Sequence, residues 1–459
     1  MIKNRESLLD AANGEERRAR GLILDLVEKA IKVSDPRVAV RRAVSLSGEV
    51  IRVKNIRVSL RNVGHVYVVG AGKASGAMTE ALEELLKDVI SGGVVCVQRG
   101  TAGTFRVKRV RLLEGEHPVP DEASVNCARE ILKVVEKAGE NDIIFCLISG
   151  GGSALMAMPA DGLGLEEMQE ITLLLLRSGA IIGEVNTVRR HLSKIKGGRL
   201  AEYAHPAKVI SLIISDVVGD ALEDISSGPT APDPTSFSDA IIILRKYGIW
   251  EKCSGKVRAL LKRGKEGKIA DTPKPGNPVF RRVSNVLIAT NRIACNEVAR
   301  EAARRGVHSM VLTTHMEGEA REVGCLAASI LKDLAYYGKP LRKPALMIMG
   351  GETTVTVEKE GGKGGRNQEL ALSAALRMSG IKNAIVTSFD TDGIDGFSHA
   401  AGALVDGRTI WKGERKGLNA KDFLKRHDST SFFELLGDGL IVTGPTGTNV
   451  NDILMLAAF

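Results

Sequence analysis

The sequence predicts an α/β protein of two domains, the first of which contains a mainly parallel sheet. Short β-branched runs alternate with longer amphipathic stretches, and this alternation is typical of βαβ units. The chain of 459 residues is too long for one ordinary core, since a domain takes roughly 150 residues. A polar, breaker-rich stretch at 271–278 interrupts the pattern. We therefore expect one domain over residues 1–275 and a smaller α/β domain over 279–459.

The strands of the first domain are predicted from apolar runs that end in glycine-rich or acidic turns. These runs lie at 66–69, 94–97, 143–148 and 209–214. A helical pattern at 77–90 separates the first two, which favours a parallel connection between them.

The second domain is expected to resume the same alternation. Its predicted strands are 286–289, 310–313, 345–349 and 384–387, and the stretch TTVTVEKE at 353–360 is predicted to form one arm of a hairpin.

The composition indicates a soluble globular protein. Apolar residues make up 44% of the chain and charged residues 26%, and no apolar run approaches the ~20 residues of a membrane helix. The charged N-terminus resembles neither a secretory signal nor an anchor. We therefore expect a cytoplasmic protein without a membrane partner.

The net charge of +9 raises the question of a nucleic-acid partner. Aromatic residues are only 4% and the basic residues are dispersed, so we expect no nucleic-acid binding but a positive cleft for small polyanions. The six cysteines show no CxxC spacing, which argues against zinc ribbons and disulfide frameworks. Glutamine occurs only three times, a shortage found in heat-adapted proteins, and suggests a thermophile although cysteine and methionine are not depleted.

The first candidate binding segment is GAGKAS, which follows the strand at 66–69. Gly70 and Gly72 permit close approach of a ligand, the following helix start favours an anion, and Lys73 adds a positive charge. The Walker pattern fails because Ala74 follows the lysine, and the dinucleotide fingerprint fails at Ser75. The alternative is a glycine turn with a solvated lysine.

The second candidate is SGGGSAL, after the strand at 143–148. Successive unhindered N–H groups can form an anion-binding nest, whereas Leu155 stands where a nucleophile elbow needs glycine. A tight strand-to-helix turn is the alternative. The residues predicted to bind phosphate here are Ser149, Gly150, Gly151, Gly152 and Ser153.

Candidate carboxylates follow two strands. Asp216 ends the apolar run at 209–214, where a carboxylate can accept a proton from a substrate hydroxyl or hold Mg²⁺. Asp220 is a candidate Mg²⁺ ligand, although capping explains it and Asp224 equally well. The turn DTDGIDG does not fit an EF-hand. Its Asp390 and Asp392 are candidate Mg²⁺ ligands or turn-forming residues.

Arg366 is the candidate cation of the second domain. It follows Gly364 and Gly365, two glycines predicted to contact a ligand, and opens a helix. A cation in the first turn opposes the helix dipole unless an anion lies in front of it. Its planar fork suits a carboxylate or phosphate, and a surface arginine is the alternative. The basic run at 186–200 can edge an anionic cleft or be a solvated face. His117 and His399 are expected to be structural.

Nine motifs occur in unbroken order from about Gly70 to Asp452. They are GAGKAS, GEHPVPDEAS, SGGGSAL, NTVRRHLSKIKGGRLA, SDVVGD, SSGPTAPDPTS, KGGRNQELAL, SFDTDGIDG and GPTGTNVND. Taken together, they resemble the type II glycerate kinases, whose C-terminal half is the MOFRL domain. One departure is Asn451, where an apolar residue is expected.

The resemblance implies a Rossmann-like N-terminal domain, a smaller MOFRL domain and an active site in the cleft between them. It implies transfer of a phosphoryl group from ATP, with Mg²⁺, to D-glycerate, mostly giving 2-phosphoglycerate. The family's functional trio matches Lys73, Asp216 and Arg366. A hydroxypyruvate reductase and a non-catalytic nucleotide- or sugar-phosphate-binding protein are the alternatives, and a homodimer is left open.

Overall fold

The computed structural model describes residues 1–10, 13–357 and 361–459. They form two compact units. The N-terminal unit is Pro36–Ile288, and the C-terminal unit combines Met1–Asp35 with Ala289–Phe459. Within the described ranges, no helix has both the length and the apolar character needed to cross a membrane.

Helices are numbered along the chain within the described residues. The α-helices are α1 (Arg5–Leu8), α2 (Gly14–Ser34), α3 (Pro36–Ala43), α4 (Ser75–Leu86), α5 (Glu122–Glu136), α6 (Gly152–Leu155), α7 (Leu165–Arg177), α8 (Ile182–His191), α9 (Arg199–Ala204), α10 (Phe237–Lys246), α11 (Gly255–Lys265), α12 (Asn291–Arg304), α13 (Ala320–Tyr337), α14 (Arg366–Met378), α15 (Thr409–Arg415), α16 (Ala420–Lys425) and α17 (Ser429–Leu436). Short 3-10 helices lie at Lys87–Val89, Ala102–Thr104, Ile225–Ser227, Trp250–Lys252 and Pro278–Arg282.

The strands are numbered in the same way. They are β1 (Val44–Ser47), β2 (Val50–Val53), β3 (Ile56–Ser59), β4 (Val66–Ala71), β5 (Gly92–Gln98), β6 (Val110–Gly115), β7 (Ile143–Ile148), β8 (Lys208–Ile214), β9 (Val283–Ala289), β10 (His308–Met316), β11 (Ala345–Gly351), β12 (Ala384–Asp390), β13 (Gly402–Asp406), β14 (Leu440–Ile441) and β15 (Asp452–Ala458).

The main sheet of the N-terminal unit has the strand order β6-β5-β4-β7-β8-β9. The pairs from β6 to β8 are parallel, which confirms the predicted sheet. The chain starts in the middle, builds outward to one edge, and then returns to build the other half. This is the order of doubly wound Rossmann-like sheets, which bind ligands where the order reverses, here between β4 and β7.

The middle of this sheet is covered on both faces. Every residue of β7 is buried, as expected for a parallel strand between two layers of helices. Helix α5 begins at a capping box, in which Asp121 accepts from the Ser124 N–H, and packs its apolar face on the sheet. A separate antiparallel sheet, β1-β2-β3, precedes β4.

The C-terminal unit contains a mixed sheet of order β10-β11-β15-β12-β13-β14. Strands β10 and β11 are parallel, whereas the other pairs are antiparallel. The fully buried β15 lies between β11 and β12, and helices α13 and α14 share the hydrophobic core on this sheet. The unit is α/β, as expected.

The compact units differ from the predicted domains 1–275 and 279–459. Residues 286–289 were predicted to open the second domain, but they belong to β9 at the edge of the first sheet, where Asn285 donates to the Thr230 carbonyl at 2.9 Å. The first 35 residues belong to the C-terminal unit because buried Arg20 pairs with Asp406 and Asp438 at 2.5 and 3.2 Å. Such long-range partners leave no local signal in the sequence.

The hairpin arm expected at 353–360 is wrong for its described part. Residues 353–357 form no strand, and only Thr354 makes an isolated bridge, with Glu319. Residues 358–360 of that prediction lie outside the described residues.

Candidate active site

The candidate site lies at the carboxyl ends of β4, β7 and β8. Lys73 follows β4, the glycine-rich turn 149–153 follows β7, and Asp216 follows β8. Since these strands are parallel neighbours, their ends meet at one edge of the sheet. The Lys73 N–H donates to the Gly150 carbonyl at 2.9 Å, and this bond joins the first two turns. The Lys73 side chain is exposed.

Gly70 and Gly72 allow β4 and β7 to approach closely. A Cβ at Gly70 would overlap the Leu147 carbonyl, and one at Gly72 would overlap Ser149 Oγ. Ser149 Oγ accepts from the Ala74 N–H at 3.0 Å. These contacts give the two glycines and Ser149 a packing role. Their predicted contact with nucleotide stays a prediction.

The rest of the glycine-rich turn offers hydrogen-bond donors. The backbone N–H groups of Gly150, Gly151 and Ser153 donate to no other described residue. Gly151 has a left-handed φ of 82°, and alternation of hand directs successive N–H groups to one side. Gly152 instead packs against Ser226, whose Oγ a Cβ would overlap. A turn with these free N–H groups can form an anion nest, and the phosphate contact of these residues stays a prediction.

Asp216 lies directly against this turn. A Cβ at Gly150 would overlap Asp216 Oδ2, so the carboxylate rests on the glycine backbone. Burial raises the pKa of Asp216, while its own backbone N–H and the charge of Lys73 oppose the rise. Asp216 forms no ion pair with the described part of the chain. Such a carboxylate can accept a proton.

His117 joins the same site, although the sequence suggested a structural role. A Cβ at Gly151 would lie 3.2 Å from His117 Cδ2 and 3.1 Å from Lys73 Cγ, so both side chains flank the turn. Burial lowers the pKa of His117 to about 4, the Lys73 charge acts in the same direction, and Glu116 opposes both. The imidazole is therefore neutral at pH 7.

A cavity of about 410 Å³ opens in front of the turn. The cavity is lined by His117, the glycines and Asp216, and also by apolar side chains of α7, including Leu173 and Leu176. Arg189 of α8 contributes positive charge, and Lys196 also lines the cavity. This combination of apolar walls with a few polar groups is typical of small-molecule sites.

Lys196 is the most buried cation of this cavity, with 1% of its surface exposed. Its Nζ donates to the carbonyls of Ser153 at 2.6 Å and Met156 at 3.2 Å, which holds the glycine-rich turn in place. Burial, together with the charge of the nearby Arg189, lowers the pKa of Lys196 to about 7. The basic run at 186–200 was the only sequence signal for these two residues.

Asp220 and Asp224 have local structural roles. Asp220 has φ 58°, and its N–H closes a turn on the Val217 carbonyl at 3.0 Å. Asp224 pairs with buried Arg190 at 3.2 Å and accepts from Asn186 Nδ2 at 3.1 Å.

Arg366, the first residue of α14, lies in a cluster of carboxylates in the C-terminal unit. Its Nε donates to Asp452 at 2.6 Å, its Nη2 to Asp390 at 2.7 Å, and its Nη1 lies 3.1 Å from Glu352. Burial alone would lower the pKa of Arg366, but these carboxylates raise it above its ordinary value. Burial raises the pKa of both Asp390 and Asp452, and Arg366 opposes the rise. The sequence did not single out Asp452.

The anion expected in front of α14 is supplied by the protein itself. Asp395 accepts from the backbone N–H groups of Asn367 at 3.0 Å and Gln368 at 2.9 Å. A Cβ at Gly365 would overlap Asp395, and the Gly364 carbonyl accepts a backbone bond from the same loop. These bonds explain how a cation is tolerated at this helix start. A ligand contact of Gly364 and Gly365 stays a prediction.

The candidate Mg²⁺ ligands do not form a resident metal site. Asp390 is paired with Arg366, and Asp392 stabilises a turn by accepting from the Ile394 N–H at 2.8 Å. Asp220 belongs to the other unit. Across the described ranges, no group of three or more His, Cys, Asp or Glu side chains is arranged to hold a metal ion.

Comparison with known proteins places these features in a family. Residues 22–262 match the family described as "Domain of unknown function (DUF4147)", and residues 345–452 match the MOFRL family. The chain is 46% identical to a protein of Pyrococcus horikoshii named glycerate 2-kinase, over 95% of this chain and 96% of the relative.

Two further comparisons cover most of the chain. The crystal structure of a glycerate kinase from Thermotoga maritima matches with a TM-score of 0.85 and 40% identity, over 96% of this chain and 99% of that one. A protein of Agrobacterium vitis named putative hydroxypyruvate reductase is 41% identical, over 95% of this chain and 93% of the relative. With nearly complete coverage and a MOFRL region in place, the chain belongs to the type II glycerate kinases of the MOFRL family.

Proposed function

We propose that this protein is an ATP-dependent D-glycerate 2-kinase. The observation that carries the proposal is the position of Asp216, a carboxylate of raised pKa resting on Gly150 beside the exposed Lys73. The neighbouring N–H groups and the cavity complete a site for a phosphorylated ligand. These are the elements that phosphoryl transfer requires, namely a proton acceptor and fixed positive charge.

In the proposed reaction, Asp216 takes the proton from the 2-hydroxyl of D-glycerate. The hydroxyl oxygen forms a bond to the γ-phosphorus of ATP, the bond from that phosphorus to the bridging oxygen breaks, and ADP leaves with the electron pair. Lys73 and the N–H groups of Gly150 and Gly151 stabilise the negative charge that develops on the transferred group. The proton of Asp216 then passes to solvent.

Arg366 completes the proposed trio. Its side chain is 24% accessible to solvent, although the guanidinium also forms ion pairs with Asp390 and Asp452. We propose that it contributes to substrate charge neutralisation, and that the carboxylates fix its orientation.

The described carboxylates do not fit a resident Mg²⁺ site, so no step is assigned to a protein-bound ion. Mg²⁺ that accompanies nucleotides is held largely by phosphate oxygens and water. ATP as donor, Mg²⁺ dependence and a cytoplasmic location are further parts of the proposal.

A reductase is the second candidate because a 41% identical relative carries that name. Against it, the position for the third fingerprint glycine is Ser75, a buried side chain that donates to the Leu147 carbonyl at 3.1 Å. Oxidation of NADH on mixing with hydroxypyruvate would support the reductase.

The deciding test of the kinase is ADP formation from D-glycerate, ATP and Mg²⁺, followed by conversion of the product by enolase with and without phosphoglycerate mutase. Product that enolase consumes directly identifies 2-phosphoglycerate, and a requirement for mutase identifies the 3-phosphate. No glycerate-dependent ADP above background would contradict the proposal.

A further inference from the structure

Two adjacent arginines on α8 have opposite surroundings. Arg190 is buried, with 2% exposure, and pairs with Asp233 at 3.0 Å and Asp224 at 3.2 Å. Arg189 is half-buried and contacts Thr172 Oγ1 at 3.5 Å, but forms no ion pair with any residue that the structure describes. Arg190 is therefore neutralised by the fold, whereas Arg189 is not.

The pKa of Arg189 reflects this difference. Burial lowers the pKa of Arg189, and no carboxylate compensates. Nearby carboxylates instead raise the pKa values of Arg20 and Arg366 above the ordinary value for arginine. A guanidinium that loses water without gaining an anion is costly, unless a ligand supplies the anion.

Arg189 lines the 410 Å³ cavity together with the apolar side chains of Met168, Leu173 and Leu176. Leu173 and Leu176 keep 39% and 51% of their surface exposed. D-glycerate is a small and wholly polar acid, which gains little from an apolar wall. A nucleotide has both an aromatic base and a charged phosphate chain, and thus matches both surfaces.

We propose that Arg189 binds the phosphate chain of the nucleotide in this cavity and that the α7 wall, Met168, Leu173 and Leu176, holds the base. The inference rests on the proposed function for the presence of a nucleotide and assigns its place. The alternative source of the anion is the carboxylate of glycerate, and the experiment separates the two.

The test is equilibrium binding of ADP, inorganic tripolyphosphate and D-glycerate, each alone, to the full-length protein. Arg189→Met is expected to bind ADP and tripolyphosphate about 10- to 100-fold more weakly, the effect of losing one charge-assisted hydrogen bond. Leu176→Ser is expected to weaken ADP several-fold and leave tripolyphosphate unchanged. Arg177→Met, an exposed arginine at the end of α7, is the matched control and should match the wild type.

The folding of Arg189→Met is checked by thermal unfolding without ligand, where its Tm should equal or exceed that of the wild type. Unchanged ADP and tripolyphosphate binding by Arg189→Met would overturn the inference. A selective loss of glycerate affinity would also overturn it and assign Arg189 to the acid. If the wild type binds ADP but forms no ADP from ATP in the presence of D-glycerate, the proposed function fails, while the nucleotide site proposed here still stands.

Discussion

The two candidate charge clusters balance their charges in opposite ways. In the N-terminal unit, Lys73, Arg189 and Lys196 have no carboxylate partner within 4 Å among the described residues. In the C-terminal unit, Arg366 contacts Asp452, Asp390 and Glu352. The first cluster leaves positive charge, above all that of Arg189, for a ligand to neutralise, whereas carboxylates of the protein neutralise Arg366.

This difference predicts which of the proposed functional cations also contributes to the stability of the fold. Removing Lys73 or Arg189 should weaken ligand binding and turnover but spare stability. Lys196 is different, because its hydrogen bonds to two carbonyls also hold the glycine-rich turn in place. Removing Arg366 leaves buried carboxylates without a counter-charge and should affect stability directly.

The largest effect is expected for Asp216→Asn. Loss of the proton acceptor should lower kcat about 10²–10⁴-fold, while ADP binding persists. Steady-state kinetics and ADP titration measure the two effects, and the exposed Asp88→Asn is the control. Retention of near wild-type kcat would exclude Asp216 as the base, and a non-catalytic binding protein would show no kcat to lose.

Arg366→Met is expected to destabilise the protein by about 3–5 kcal/mol, because Asp390 and Asp452 then remain buried together without their partner. Urea unfolding of the full-length protein measures this loss of stability. Arg366→Met combined with Asp452→Asn should recover part of it, since one buried charge is removed. Arg300→Met, which breaks an exposed pair with Glu297, should change stability by less than about 1 kcal/mol. If Arg366→Met changed the stability as little as Arg300→Met, the guanidinium of Arg366 would not be stabilising Asp390 and Asp452.

Gly150→Ala tests the contact between the glycine-rich turn and Asp216. The added Cβ overlaps Asp216 Oδ2, so the carboxylate must move, and a displacement of this kind can lower kcat/KM about 10²-fold. Gly103→Ala, where a Cβ meets nothing within 4 Å, is the matched control. Equal activity of the two variants would contradict the proposed geometry.

The smallest effect is expected in the pH profile. Burial raises the pKa of Asp216. In the pH profile of kcat/KM, the acidic limb should therefore lie at a pH above the usual pKa range of an aspartate. Activity falls as the pH drops through this pKa, because the carboxylate takes up a proton. Lys73→Met removes a charge that lowers the pKa of Asp216, so its residual activity should show the limb at higher pH. The exposed Lys108→Met should not move the limb, and a limb at the pKa of a free aspartate would contradict the assignment.

Local patterns predicted the elements that carry the first site. Apolar runs fixed the positions of β4, β7 and β8, and the turns that follow them therefore met at one edge of the sheet. The position of Asp216 at this edge of the sheet could be predicted for the same reason. The burial of Lys196 could not, since its carbonyl partners lie 40 and 43 residues away along the chain.

The carboxylate partners of Arg366 could not be predicted from the sequence either. Asp452 lies 86 residues from Arg366 in the sequence, and the antiparallel β15 that carries it gives only a short apolar run at the chain end. Asn451, the departure from the family pattern, has φ 67°, and its backbone carbonyl accepts a hydrogen bond from Thr391 Oγ1 at 2.9 Å. Asparagine tolerates this left-handed conformation better than a β-branched apolar residue does.

The most direct test of the contrast between the clusters is thermal unfolding of Lys73→Met and Arg366→Met side by side, without ligand, together with glycerate-dependent ADP formation by each. We predict that Lys73→Met keeps the wild-type Tm and loses most of its activity, whereas Arg366→Met loses several degrees of Tm. A lowered Tm for Lys73→Met with an unchanged Tm for Arg366→Met would contradict the account.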